Sequence, residues 1–256
     1  MLRLTTALSI SWCAFLCAAE AEAQSAHVTT QRELSIAAGF TRTDRLDKVV
    51  SPSRFAGAGL DVGIGYASLR SKTTILVSLR GGARTLTASG PQLSGERLTD
   101  GDLHLSAFRT RGTSLLGAQL MLGVDLQATA AVIAHSYMDP EARTMSYVFG
   151  TTTLGPALLL ERPFGDGSAT VQLSVPVVGV VAQPYSAVWT SRPPLDLHFA
   201  TLASLRSASA AFVYRSPVHY GVFLLSEYRL GVMRYEDVLP VRGLSHSVAI
   251  GVARHL

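Results

Sequence analysis

The stretch Leu115–Ala134, LLGAQLMLGVDLQATAAVIA, constrains this chain more than any other. Taken two residues at a time, Leu116, Ala118, Leu120, Leu122, Val124, Leu126, Ala128 and Ala130 share one face. Gly117, Gln119, Gly123, Asp125, Gln127 and Thr129 share the other, with Met121 its one apolar member. A strand alternates its side chains in this way. A helix would scatter Gln119, Asp125 and Gln127 around its axis, and an aspartate at mid-helix costs about 3 kcal/mol in lipid. The run is longer than the 5–6 residues or so usual in globular sheets and suits a tilted membrane strand of about 9–11 residues or more. It reads as one stave of a transmembrane β-barrel.

The chain has 256 residues, 48% hydrophobic and 16% charged, with 22 glycines. Outside the N-terminus it has no clean apolar run of about 20 residues, so no membrane helix is expected. Residues 1–23 read as a signal peptide. Arg3 precedes an apolar core from Leu4 to about Ala18, and Ala21-Glu22-Ala23 gives a small-x-small cleavage pattern. Both cysteines, Cys13 and Cys17, lie there, so cleavage before Gln24 leaves residues 24–256 as a cysteine-free barrel domain. The formal net charge of +4 is spread along the chain, which gives no basic patch for nucleic acid.

Two-residue alternation recurs through the mature chain. In Glu33–Thr41, Leu34, Ile36, Ala38 and Phe40 oppose small residues. In Phe55–Leu69, Ala56, Ala58, Leu60, Val62, Ile64 and Tyr66 oppose Gly57, Gly59, Asp61, Gly63 and Gly65. Four glycines on one strand face are expected to make room for bulky charged neighbours in a crowded interior. Thr73–Thr87 sets Ile75, Val77, Leu79 and Ala83 against Thr74, Ser78, Arg80 and Arg84, and Asp102–Arg109 alternates likewise. Residues 88–101 read as a Gly/Pro/Ser-rich loop, and Thr110–Thr113 as the turn before the organising strand. Thr144–Glu161 has no readable face, which suggests a bulge near Thr151–Thr153. Further strands are expected over Thr170–Ala182, interrupted by Pro176, over His198–Tyr214, from Val222 to Val232, and over Ser245–Leu256.

About ten strands result, with eight or twelve left open. Short connections near 70–72, 110–113, 163–168 and 215–219 alternate with longer ones near 42–54, 88–101, 183–197 and 236–243, with 138–143 as the exception. In this the chain resembles bacterial outer-membrane β-barrels, which have even strand numbers, short periplasmic turns and long external loops. Its C-terminus resembles the assembly signal of that class, with Leu256 in place of the usual aromatic and Arg254 interrupting the apolar row. The resemblance implies a Gram-negative outer-membrane location, outer-membrane lipid and the barrel assembly machinery as partners, and a monomer.

A soluble sandwich would bury the Leu/Val faces and carry charges on its exposed faces. Here the strands are long, the other face is glycine-rich, and charges concentrate in loops, so the apolar face should meet lipid. The fold class expected is all-β, a single antiparallel transmembrane barrel with a filled polar lumen. Asp61, Asp125 and Glu227 should pair inside it with some of Arg80, Arg84 and Arg229. No open pore follows.

Two short patterns could carry chemistry. Asp100-Gly-Asp102 with Asp196-Leu-His198 resembles the omptin proteases, ten-stranded barrels that set an Asp-x-Asp pair against an Asp-x-His pair across the mouth. The resemblance implies that Asp196 and His198 activate water. His104-Leu-Ser106, with Asp102 on the same face, resembles the His/Ser pairs of outer-membrane phospholipase and lipid A deacylase. His104 and Ser106 should, however, point away from lipid. No cofactor or metal cluster is expected. The expected role is structural or ligand-contacting, not enzymatic, with Tyr185 and Trp189 of the Gln183–Pro194 loop meeting something outside.

Overall fold

The computed structural model describes residues 31–47, 54–70, 72–89, 93–115, 117–137, 145–184, 195–219, 221–237 and 240–256. They form the strands β1 (Gln31–Asp47), β2 (Arg54–Leu69), β3 (Thr73–Ser89), β4 (Leu93–Leu115), β5 (Ala118–Tyr137) and β6 (Met145–Phe164). These are followed by β7 (Gly167–Ser174), β8 (Val178–Pro184), β9 (Leu195–Thr201), β10 (Leu205–His219), β11 (Val222–Tyr235) and β12 (Val241–His255). Every pairing is antiparallel, and β1–β12 together with β5–β6 closes the sheet on itself.

The twelve segments make ten staves. β7 pairs with the half of β6 nearer the short turns, and β8 with the other half. Pro176 lies between them and has no N–H to give, so Val175 N donates to Pro156 O (3.2 Å) and Val177 N to Leu154 O (2.9 Å) on either side of it. β9 and β10 share another stave, broken by a turn in which Ser204 N donates to Thr201 O at 3.0 Å. At three of the short turns Gly117, Gly165 and Gly221 take φ of 76°, 59° and 74°, a left-handed conformation that glycine reaches without a Cβ penalty.

The apolar faces point outward. Leu60 is 72% exposed and its neighbour Asp61 5%. Leu34, Ile36, Phe40, Val62, Ile64, Leu79, Leu122, Val124, Val248 and Ile250 continue the outer band. Toward the long-loop end the alternation inverts. Phe55, Leu86, Leu98, Ile133, Tyr235 and Val241 turn inward and are buried, while Arg54, Thr85, Thr87, Arg97, Thr99 and Arg242 face out. A wall that passes from lipid into water needs this inversion, because beyond the bilayer burial is gained only inside.

That inversion corrects part of the sequence reading. Most of the span 88–101 is strand and not loop. β3 runs to Ser89 and β4 starts at Leu93, so Asp100 and Asp102 lie well inside a strand. The turn expected at Thr110–Thr113 falls instead at Gly117, and the register of β4 on β5 slips between Thr110 and Ser114. No bulge interrupts β6 on β5, since the register is unbroken from Gln119↔Glu161 to His135↔Met145. Its faces were unreadable because both are apolar: Tyr147, Phe149 and Leu159 point inward while Val148 faces out.

Glycines on the inner face serve two purposes. A Cβ on Gly63 would meet Arg80 Cγ at 2.8 Å, so Gly63 makes room for that arginine. A Cβ on Gly59 would meet the Ala83 carbonyl oxygen at 2.0 Å, a backbone atom that moves only with the ladder. Gly59→Ala is expected to lower stability by about 1–3 kcal/mol, read as a shift in the urea midpoint of folded gel mobility. Gly243→Ala is the control, because a Cβ there meets nothing within 4 Å, and it should leave the midpoint in place.

Candidate functional site

The interior is built in layers. At its middle, Arg80 of β3 reaches Asp61 of β2 through Nη1 (3.2 Å) and Glu227 of β11 through Nη2. β3 and β11 are four staves apart, so the second contact crosses the lumen. Arg229 Nε donates to the other oxygen of Glu227, and Thr41 Oγ1 donates to Asp61 Oδ1 at 2.9 Å. Arg84 pairs with Asp100 of β4, a partner absent from the expected set because its segment read as a loop.

Asp125 has no arginine partner among the described residues. Ser106 Oγ donates to its Oδ1 at 2.6 Å and Gln127 Nε2 to its Oδ2. Gln127 Nε2 also reaches Ser209 Oγ of β10 (3.0 Å), and Gln172 Nε2 of β7 donates to Ser106 Oγ (3.0 Å). These bonds make a second strut across the barrel. Nearer the short turns, Arg215 ties Glu33 (3.3 Å) to Thr170 Oγ1 (3.0 Å).

Apolar clusters flank this belt. Toward the long loops Phe55, Leu86, Leu98, Ile133, Tyr147, Phe149, Val181, Tyr235 and Val241 pack together inside the wall. Arg45 lies against Phe149, its guanidinium 5.2 Å from the ring centroid. Toward the short turns Phe108, Met121, Ala157 and Leu159 form a smaller cluster with Leu76 packed on it. The charged network is densest at the middle, and a cavity of about 380 Å³ runs past it, lined by Asp61, Arg80, Asp102, His104, Glu227 and Arg229 there, by Glu33 and Arg215 toward the short turns and by Arg45 and Phe149 toward the long loops. A cue to the apolar cap was present in the sequence: Thr85-Leu86-Thr87 still alternates, with its polarity reversed.

The Asp-x-Asp and Asp-x-His pairs have different surroundings. Asp100 and Asp102 line the central cavity and Asp100 is held by Arg84. Asp196 and His198 stand on β9, His198 opposite Val181 of the apolar cluster, with His198 Nε2 3.5 Å from Asp196 Oδ2, and neither lines that cavity. Around the wall β4 and β9 are four staves apart. His104 and Ser106 both line the cavity, and the Ser106 hydroxyl is engaged by Asp125 and Gln172. Among the described residues no group of three His, Cys, Asp or Glu is placed to hold a metal ion. Tyr185 and Trp189 lie outside the described residues.

No protein family's sequence profile matches the chain, and no curated protein matches it. Solved structures do. The outer membrane protease OmpT from Escherichia coli aligns with a TM-score of 0.59 at 8% identity, over 91% of this chain and 99% of that one. The translocator domain of the autotransporter NalP from Neisseria meningitidis aligns with a TM-score of 0.47 at 12% identity, over 98% and 97%. The attachment invasion locus protein Ail of Yersinia pestis aligns with 0.39 at 8%, over 88% and 98%. At these identities the likeness is one of fold: the chain has the architecture of bacterial outer-membrane β-barrels, closed with ten antiparallel staves.

Proposed function

We propose that the protein is a closed barrel of the bacterial outer membrane, exported by a removable signal in residues 1–23. Its interior is structural, and its long-loop end offers a contact surface outside the cell. Lipid and the assembly machinery are its partners in reaching that state, and it works as a monomer without enzymatic activity. The observation that carries this reading is the apolar cap. Phe55, Leu86, Ile133, Val181, Tyr235 and Val241, all at 0% exposure, come from six staves around the wall and fill the long-loop end of the lumen. A conduit would line that end with solvated polar groups. The charges below the cap pair with one another across the lumen, as a filled core requires.

Planar-bilayer recordings of the purified protein should therefore show no steady conductance, and a stable open level in the intact protein would overturn the closed interior. The protease reading makes a separate demand. A basic peptide incubated with folded protein should remain intact; cleavage that disappears in His198→Ala would replace the non-enzymatic reading with the protease.

A further inference from the structure

The outer side of the wall carries a row of arginines on neighbouring strands. Arg206 of β10 stands opposite Arg234 of β11, and Arg234 stands opposite Arg242 of β12. All three have outward parity, since their chain neighbours Leu205, Tyr235 and Val241 point inward and are buried. Two residues closer to the short turns, the outward positions are Ala208, Val232 and Leu244, again in register. Val232 and Leu244 are exposed members of the apolar band. The row thus marks the level at which the outer face changes from apolar to charged.

Like charges placed opposite one another on adjacent strands destabilise a sheet. The ion pairs among the described residues give these three guanidinium groups one carboxylate, Glu236, which Arg234 and Arg242 share. Asp237 follows without an ion pair to any of them. The row is left with excess positive charge directly above an apolar wall, at a spacing of about 5 Å between strands.

We propose that Arg206, Arg234 and Arg242 bind the phosphate groups of anionic lipid headgroups, with preference for a lipid that carries more than one phosphate. The inference rests on the outer-membrane reading. Guanidinium groups match phosphate oxygens with two parallel donors each, and headgroup phosphates lie where the hydrocarbon ends. Three such groups across about 10 Å can hold two phosphates of one headgroup at once. The acyl chains of the same lipid would then lie along Val232, Leu244 and the band below them.

The test is lipid retention by native mass spectrometry. Folded wild type and the R206Q/R234Q/R242Q variant are exchanged into micelles doped with diphosphoryl lipid A, phosphatidylglycerol or phosphatidylcholine, with inorganic phosphate alone as a fourth arm. Wild type should retain the diphosphorylated lipid best, and the triple variant should retain it about tenfold or more weakly. Arg254→Gln removes an outward charge at the opposite rim and should change nothing. If the triple variant fails to fold, Arg206→Gln alone should show part of the loss.

Equal retention by wild type and the triple variant would overturn the proposal, as would inorganic phosphate displacing the lipid at millimolar concentration, which would mark a free-anion site. A wild type that stays in solution without detergent would overturn the outer-membrane reading itself. One that inserts but retains neutral and anionic lipids alike overturns the arginine site only.

Discussion

Arg80→Met is expected to destabilise the folded barrel by about 3–5 kcal/mol, the usual cost of removing one partner from a buried ion pair. Among the described residues Arg80 is the side chain that joins Asp61 on β2 to Glu227 on β11, and both carboxylates are buried beside it. Glu227 keeps Arg229 and Asp61 keeps the hydroxyl of Thr41, but the chord across the lumen is lost. Methionine occupies much of the same volume, so the loss is one of charge and not of packing. The companion variant R80M/D61N/E227Q removes the stranded carboxylate charges and should recover a large part of the difference. Both are read as the denaturant midpoint of folded gel mobility, at constant micelle composition. A cost under about 1 kcal/mol for Arg80→Met would mean that water reaches these groups freely, and the interior would then be an aqueous channel.

The legibility of this interior in the sequence varied with height in the barrel. At the level of the band, Leu60 and Asp61 announce their faces by composition, because the apolar neighbour faces out and the charged one is buried in the lumen. Beyond the band the rule reverses, and Phe55, Leu86 and Leu98 sit on the inner face with Asp61 and Arg84. One phase of alternation does not carry through the reversal, so 88–101 reads as a loop and the Arg84–Asp100 pair is not visible in the sequence. In β6 two apolar faces cancelled the signal altogether. Residue pairing lay further out of reach. Ser106 stands opposite Asp125 because β4 and β5 align in that register, and Arg80 reaches Glu227 because closure through β1 and β12 brings β3 and β11 across from each other. Register and shear are properties of the closed wall, and no single strand encodes them.

The charge on the outer face supplies the sharpest separation between a barrel in lipid and one in water. Ile250 of β12 is 64% exposed and stands in register with Ala38 on β1, which itself faces Val62 on β2. Its outward neighbours Val248 and Val252 are exposed as well, and His246 and Arg254 lie beyond them on either side. That places Ile250 near the centre of the band. Ile250→Arg is expected to cost about 2–4 kcal/mol, the range for a cation on the lipid face at the bilayer midplane. Leu244→Arg is the same chemical change two residues from Arg242, at the edge of the band, and should cost only about 0–1 kcal/mol. Neither substitution meets a packed interior; an arginine at position 244 also stands opposite Asp44 and beside Arg242, opposing charge effects, so the difference between the two sites reads chiefly depth in hydrocarbon. Refolding into phosphatidylcholine vesicles followed by urea titration reads both. In a barrel surrounded by water an exposed isoleucine can become arginine at a cost within about 0.5 kcal/mol, at either position. Equal and negligible effects at Ile250 and Leu244 would therefore remove the protein from the membrane, whereas a gradient between them would fix the height at which its wall leaves the lipid.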